Sequence, residues 1–196
     1  MKEIEFWFSI GSTYTYLSVT RLPEVEKIYG VKFSWKPFSV RKIMQKMDNI
    51  PFPPTKKIKL DYMWRDIERR AQMYGFGAKV PAPYPLREFD LANQIAIVGM
   101  EEGWCSQYTR CTYRRWFQLA QEAGIEPNIS ESITEIGQET NRIIRLANSK
   151  KIKKIYFEQT EIAEKKGVFG SPSFIVDGEV FWGDDRLEQA VSWSKR

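Results

Sequence analysis

Histidine is absent from the 196-residue sequence. That excludes Ser-His and Cys-His nucleophilic sites and most zinc sites. Cysteine is nearly absent too. Cys105 and Cys111 lie in a stretch of helical periodicity, where a spacing of six residues turns them about 120° apart. There is no Cys-x-x-Cys, so the pair reads as two buried, unpaired thiols in a reducing compartment. No run approaches the ~20 apolar residues of a membrane span. The opening Met-Lys-Glu-Ile-Glu carries acids and a strand pattern where a secretory leader needs an apolar centre. A cytoplasmic protein without membrane association is expected. Dense basic stripes are missing as well. The net charge of +5 suits a solvated surface or the attraction of small anions, and nucleic acid is not expected as a partner. The one basic run, Lys150 to Lys154, is interrupted by Ile152, as on a helix face.

What is present is an ordinary apolar fraction, 42%, with plentiful aromatics. The length fits one domain with a sizeable core, or a domain carrying a large insertion. The chain is organised around Gly167 to Arg186. Two apolar, β-favouring runs, Ser173 to Val176 and Glu179 to Trp182, are joined by Asp177-Gly178, a strong hairpin signal. Pro172 precedes the first run, where a proline is tolerated, and a cis Ser171-Pro172 bond is compatible with that position. Gly183-Asp184-Asp185 opens a helix with carboxylates at its positive end. Near the N-terminus, Ile4 to Ile10 reads as a strand. A helix ending at Gly30 follows, in which Pro23 is expected to cause a kink or a restart. Val31 to Trp35 is the next strand. From Ser39 to about Ser149 the pattern is helical: Lys42–Met47, Lys57–Tyr74, Asp90–Glu102, Ser106–Ala123, Ser130–Gly137 and Glu139–Ala147. Two proline-stiffened loops, 49–55 and 80–86, interrupt it. Lys151 to Lys166 is the last helix before Ser171-Pro172. No internal repeat or low-complexity segment is found.

A strand–helix–strand start and a proline–hairpin–helix end are the two halves of a thioredoxin-like fold. With the run Phe6 to Leu17, the Ser12 turn, Val168-Phe-Gly-Ser-Pro172 and Phe181-Trp-Gly-Asp-Asp-Arg186, the chain resembles the 2-hydroxychromene-2-carboxylate isomerase and kappa-class glutathione transferase family over nearly its whole length. The resemblance implies an α/β fold: a thioredoxin-like sheet domain, residues 1–38 and 150–196, with a large inserted all-helical domain, residues 39–149, of the DsbA/kappa type. It also implies glutathione as the cofactor, a small anionic aromatic substrate and a homodimer.

Carried over residue by residue, the resemblance makes Ser12 the catalytic residue. Its hydroxyl either caps the helix or donates to the glutathione thiolate and, with the helix N-terminus, favours the anion. Ser12-Thr-Tyr-Thr15 replaces the Cys-x-x-Cys of redox relatives, so a dithiol cycle is not expected. Thr13 stands where the family has proline. Ser171, usually aliphatic in relatives, offers its main chain to an extended peptide. Trp182, Gly183, Asp184 and Asp185 are implied to receive the γ-glutamyl end, with simple capping as the alternative for the two carboxylates. Asn49 and Lys59 match further glutathione contacts, and Asn49 and Tyr84 match substrate positions. No metal ligands are implied. Arg65, Arg69, Arg114 and Arg115 are candidates for a substrate carboxylate, with nothing to select among them. The implied activity is a glutathione-dependent isomerase: the thiol adds to the conjugated ring system, the ring opens, a bond rotates and the thiol leaves. The alternatives are a kappa-like transferase and a non-catalytic thioredoxin-like binding protein.

Overall fold

The structure is a computed structural model describing residues 3–49, 53 and 55–196. Most of the proline loop expected over 49–55 lies outside the described residues. The alternation in Ile4–Phe8 explains how β1 is used. Ile4, Phe6 and Phe8 point to one face and Trp7 to the other, and all four are buried. β1 pairs parallel with β2, Phe33–Pro37, and antiparallel with β3, Ser173–Val176. β4, Glu179–Trp182, pairs antiparallel with β3, giving the order β2-β1-β3-β4. The expected Asp177-Gly178 hairpin forms with φ of 53° and 83°, the left-handed pair that a two-residue turn requires.

On the Ile4–Phe6–Phe8 face the aromatic contacts run from strand to strand. Phe6 stacks on Phe174 at 5.4 Å and meets Trp35 edge-on at 4.9 Å. The Trp7 face is covered by Phe38, Val40, Ile43, Ala163 and Val168, supplied largely by α2, Val40–Lys46, and α8, Lys150–Lys165.

Between these two helices the chain adds α3, Lys57–Met73; α4, Asp90–Glu102; α5, Cys105–Leu119; α6, Asn128–Glu135; and α7, Thr140–Ala147. α4 lies against β2 and α5 against α1, Thr15–Tyr29. The apolar core therefore continues without a break from Phe6 and Phe174 to Ile95, Tyr113 and Ile133. The chain ends in a 3₁₀ turn, Asp184–Arg186, and α9, Leu187–Trp193.

One local expectation is corrected. Pro23 does not restart the first helix; α1 runs from Thr15 to Tyr29 with Pro23 inside it. Seven buried residues, from Thr15 to Val25, hold this helix in the core, and tertiary packing of that extent overrides a single missing N–H. Gly30 ends α1 as expected, with φ 66° and its N–H on Glu26 O at 2.9 Å. Among the described residues no helix is long and apolar enough to cross a membrane.

Candidate functional site

β1 ends at Phe8, and the chain turns through Ser9 to Ser12 before α1 begins. The turn is closed by the Ser12 N–H on Ser9 O at 3.1 Å. Two elements distant in sequence fix it. From α5, the fully buried Tyr113 hydroxyl spans Ser9 O and Ser12 O at 3.0 Å each. From α4, the Asn93 side chain takes the Ile10 N–H at 2.8 Å and donates to Ile10 O at 2.9 Å. Gly11, at φ 130°, also has no room for a side chain, because a Cβ would lie 2.9 Å from the Phe89 ring.

Opposite this turn runs the Gly170–Ser173 segment, with Ser171-Pro172 in the cis form. The Ser12 hydroxyl donates to Ser171 O at 2.5 Å. It does not cap α1, whose first turn has no side-chain cap. The buried Ser171 hydroxyl takes the Ser9 N–H at 2.9 Å and pairs with the Thr15 hydroxyl at 2.8 Å. Thr13, the departure from the family's proline, turns the other way: it is buried and donates to Met63 Sδ of α3 at 3.2 Å. Tyr14 reaches the same helix, its hydroxyl on Asp66 at 3.1 Å. Burial first, and Asp66 next, push the Tyr14 phenol above its usual range.

The hairpin brings residues 182–185 beside this segment, through the Gly183 N–H on Pro172 O at 2.9 Å. Here the structure amends two expectations. The Gly183 N–H is already committed to that carbonyl. Asp184 is drawn inward, 1% exposed, and its carboxylate serves the protein. One oxygen accepts from Ser18 at 2.9 Å and faces Arg21 at 3.5 Å; the other accepts from Arg70 at 2.6 Å and Tyr74 at 3.3 Å. Burial pushes its pKa up, against the opposing pull of Arg21 and Arg70. The side chain of Asp184 is thus neither a surface cap nor an open partner for an ammonium. Asp185 is exposed, 3.4 Å from Arg186. Trp182, also exposed, lies on Phe169 at 4.8 Å and over Gly170, where a Cβ would meet its Nε1 at 2.1 Å.

The remaining predicted residues spread over the end of α2, α3 and the second proline loop. Lys59 is exposed, one turn before Met63. Asn49 is exposed after α2, its N–H on Met44 O at 2.9 Å. Tyr84 is half-buried with its ring edge-on to Trp64 at 5.9 Å, and burial raises its pKa. Among the described residues, the Ser12 hydrogen bonds lie with Ser9, Tyr113 and Ser171. The four candidate arginines are each paired with acids: Arg65 with Glu68, Arg69 with Asp66, Arg114 with Glu135, and Arg115 with Glu131 and Glu135. An open cleft of about 240 Å³ lies between α2 and residues 87–90, lined by Arg41, Lys42, Arg87 and Phe89 together with Glu88 and Asp90. Phe89 is the ring that rests on Gly11.

Sequence reasoning missed Tyr113, Asn93, Thr15, Arg21 and Arg70. Asn93 alone left a trace, as an amide inside the apolar run of α4. Neither cysteine is at the site. Both are free: Cys105 is buried at the start of α5, and Cys111, only half-buried, donates to Glu135 at 3.3 Å. Burial pushes Cys105 up to about 12 and Cys111 up to about 11.

A strand-ending turn facing a cis-proline segment, with a helical block between the two halves of the sheet, defines a DsbA-like thioredoxin architecture. The DSBA-like thioredoxin domain matches residues 3–192, and the chain belongs to that family. It is 27% identical to a 2-hydroxychromene-2-carboxylate isomerase of Pseudomonas putida, over 94% of this chain and 90% of the relative. It is 22% identical to a glutathione S-transferase kappa 2 of Caenorhabditis elegans, over 98% and 91%. A solved 2-hydroxychromene-2-carboxylate isomerase structure superposes with a TM-score of 0.87 at 25% identity, covering 99% of this chain and 95% of that one.

Proposed function

We propose that the protein is a glutathione-dependent isomerase acting on a small anionic aromatic acid of the 2-hydroxychromene-2-carboxylate type. The observation that carries this reading is the juxtaposition of the Ser12 hydroxyl with the main chain of Ser171, 2.5 Å apart, at the start of α1 and away from both thiols. The relatives' names set the reaction class. The site residues fit glutathione on one further observation: among the described residues nothing accepts from the Ser171 N–H, so an extended peptide can pair there. The 3₁₀ turn opens with the N–H groups of Asp184 and Asp185, which lack acceptors within the turn and suit a γ-glutamyl carboxylate. Asp185 is the side chain available to its ammonium, with Trp182 alongside. Lys59 of α3 and Asn49 after α2 are the further glutathione contacts of this reading.

Bound glutathione supplies a nucleophilic sulfur that is returned unchanged. Ser12 stabilises negative charge on that sulfur by hydrogen bonding, and α1 contributes its positive end. In the 240 Å³ cleft, which Glu88 and Asp90 also line, Arg41 and Lys42 are the cations offered to the substrate carboxylate, with Phe89 for its ring.

The test is ring-opening isomerisation of a chromene-carboxylate, followed by absorbance, with glutathione measured before and after. Activity that requires glutathione and leaves its amount unchanged is expected. Ser12→Ala should lower turnover by about 10²–10³-fold at neutral pH, without rescue by Thr13, whose hydroxyl faces Met63. Stoichiometric loss of glutathione would assign a kappa-like transfer reaction instead. Absence of glutathione binding would leave a non-catalytic thioredoxin-like protein.

A further inference from the structure

We propose that the Ser171 carbonyl is the resting acceptor of the Ser12 proton, and that a peptide thiol releases this proton toward its own sulfur by taking the carbonyl for its own N–H. The inference rests on the glutathione reading above and concerns how Ser12 is switched on.

A hydroxyl has one proton. In the structure that proton is spent on Ser171 O at 2.5 Å, so Ser12 does not donate to a sulfur in this state. The acceptor is held on every side. The Ser171 hydroxyl is locked between the Ser9 N–H at 2.9 Å and the Thr15 hydroxyl at 2.8 Å, all within the buried interior. The next carbonyl, Pro172 O, holds the Gly183 N–H at 2.9 Å, and Tyr113 holds the Ser9 and Ser12 carbonyls. The movable part is the Ser12 hydroxyl rotor.

If Ser12 turned away with nothing in its place, the Ser171 carbonyl would be left without a donor in a residue only 7% exposed, an unfavourable state. A ligand that brings an N–H to that carbonyl removes the penalty. It frees the hydroxyl for a charge-assisted bond to the thiolate, while the thiol's own proton leaves to solvent. Ser171 and Thr15 are then positioning residues, and selectivity for peptide thiols over simple ones follows from the same exchange.

The test compares glutathione with its analogue methylated on the cysteinyl nitrogen, which keeps every other group and lacks that N–H. The pKa of each bound thiol is read from thiolate absorbance against pH, at saturating ligand, in the wild type and in Ser12→Ala. The substitution is expected to raise the pKa of bound glutathione by about 1–2 units and to leave that of the analogue unmoved. A second readout uses the Ser171 carbonyl itself. Ser171-Pro172 is the one Ser-Pro pair in the sequence, so carbonyl-labelled serine with nitrogen-labelled proline isolates its resonance. Ser12→Ala should shift that resonance in the free protein and not in the glutathione complex. Equal pKa shifts for both thiols, or a carbonyl shift that persists with glutathione bound, overturns the exchange and leaves the isomerase reading standing. No binding of glutathione by calorimetry overturns both.

Discussion

The two ends of the β3–β4 hairpin hold their surroundings by opposite means. At the Ser171 end the partners are neutral: Thr15 pairs with the Ser171 hydroxyl, and the hydroxyls of Ser12 and Tyr113 donate to main-chain carbonyls. At the Asp184 end they are ionic: one buried carboxylate gathers Arg21, Arg70, Ser18 and Tyr74 from α1 and the α3 region. Gly183 N to Pro172 O ties the two ends together. The neutral cluster keeps one proton that can be redirected. The ionic cluster has no group to spare, and its work is to clamp α1, α3 and the hairpin in register. Chemistry and cohesion are thus separated by the length of one turn.

The sharpest way to break this contrast is Asp184→Ala. It leaves two guanidiniums and two hydroxyls without their shared acceptor and should destabilise the fold by about 3–5 kcal/mol, read as a lower midpoint in urea. Tyr113→Phe attacks the neutral end. It strips one donor from two carbonyls and should cost about 1–3 kcal/mol in stability, together with a fall in turnover, because the Ser12 turn loses its anchor to α5. A substitution at the ionic end that lowered turnover at unchanged stability would erase the proposed division of labour.

Asp184→Asn sharpens the comparison through pH. Burial raises the Asp184 pKa above its ordinary value, so between about pH 4 and that raised value the native state binds more protons than the unfolded chain. Wild-type stability should therefore fall, relative to Asp184→Asn, as pH rises through this window and then level off. Parallel stability curves for the two proteins would show that the carboxylate does not titrate on folding. Asp185→Ala gives the smallest effect. Its side chain is 54% exposed, so a loss of glutathione affinity of at most about 1 kcal/mol is expected by calorimetry.

Local chemistry decided what could be read beforehand. The hairpin was legible because Asp177-Gly178 carries its own left-handed geometry, and α4 was legible to the residue because Asp90 and Gly103 bound an apolar run. Ser12 and Ser171 were identified through resemblance, and the structure joins them by a hydrogen bond. The inward turn of Asp184 was not legible. A carboxylate at the start of a short helix looks the same whether it caps the turn or anchors the core, and its arginines lie more than a hundred residues away in sequence. The continuity of α1 through Pro23 was hidden for a related reason: the propensity is local, while the burial that overrides it comes from the sheet and from α5. Tyr113 gave no signal, since its hydroxyl lies among aromatic residues whose apolar packing accounts for the whole stripe.

The close approach of Trp182 to Gly170 has an optical consequence. Of the seven tryptophans, Trp7, Trp64, Trp104 and Trp116 are buried and Trp35 and Trp193 are half-buried, whereas Trp182 is 53% exposed. An aqueous quencher added to the free protein should therefore reach this indole first. Because Trp182 lies over Gly170, next to the Ser171 main chain, a peptide pairing there would shield it from the quencher. The protein thus carries its own reporter of occupancy, and Trp182→Phe, which keeps a ring on Phe169, would silence the signal.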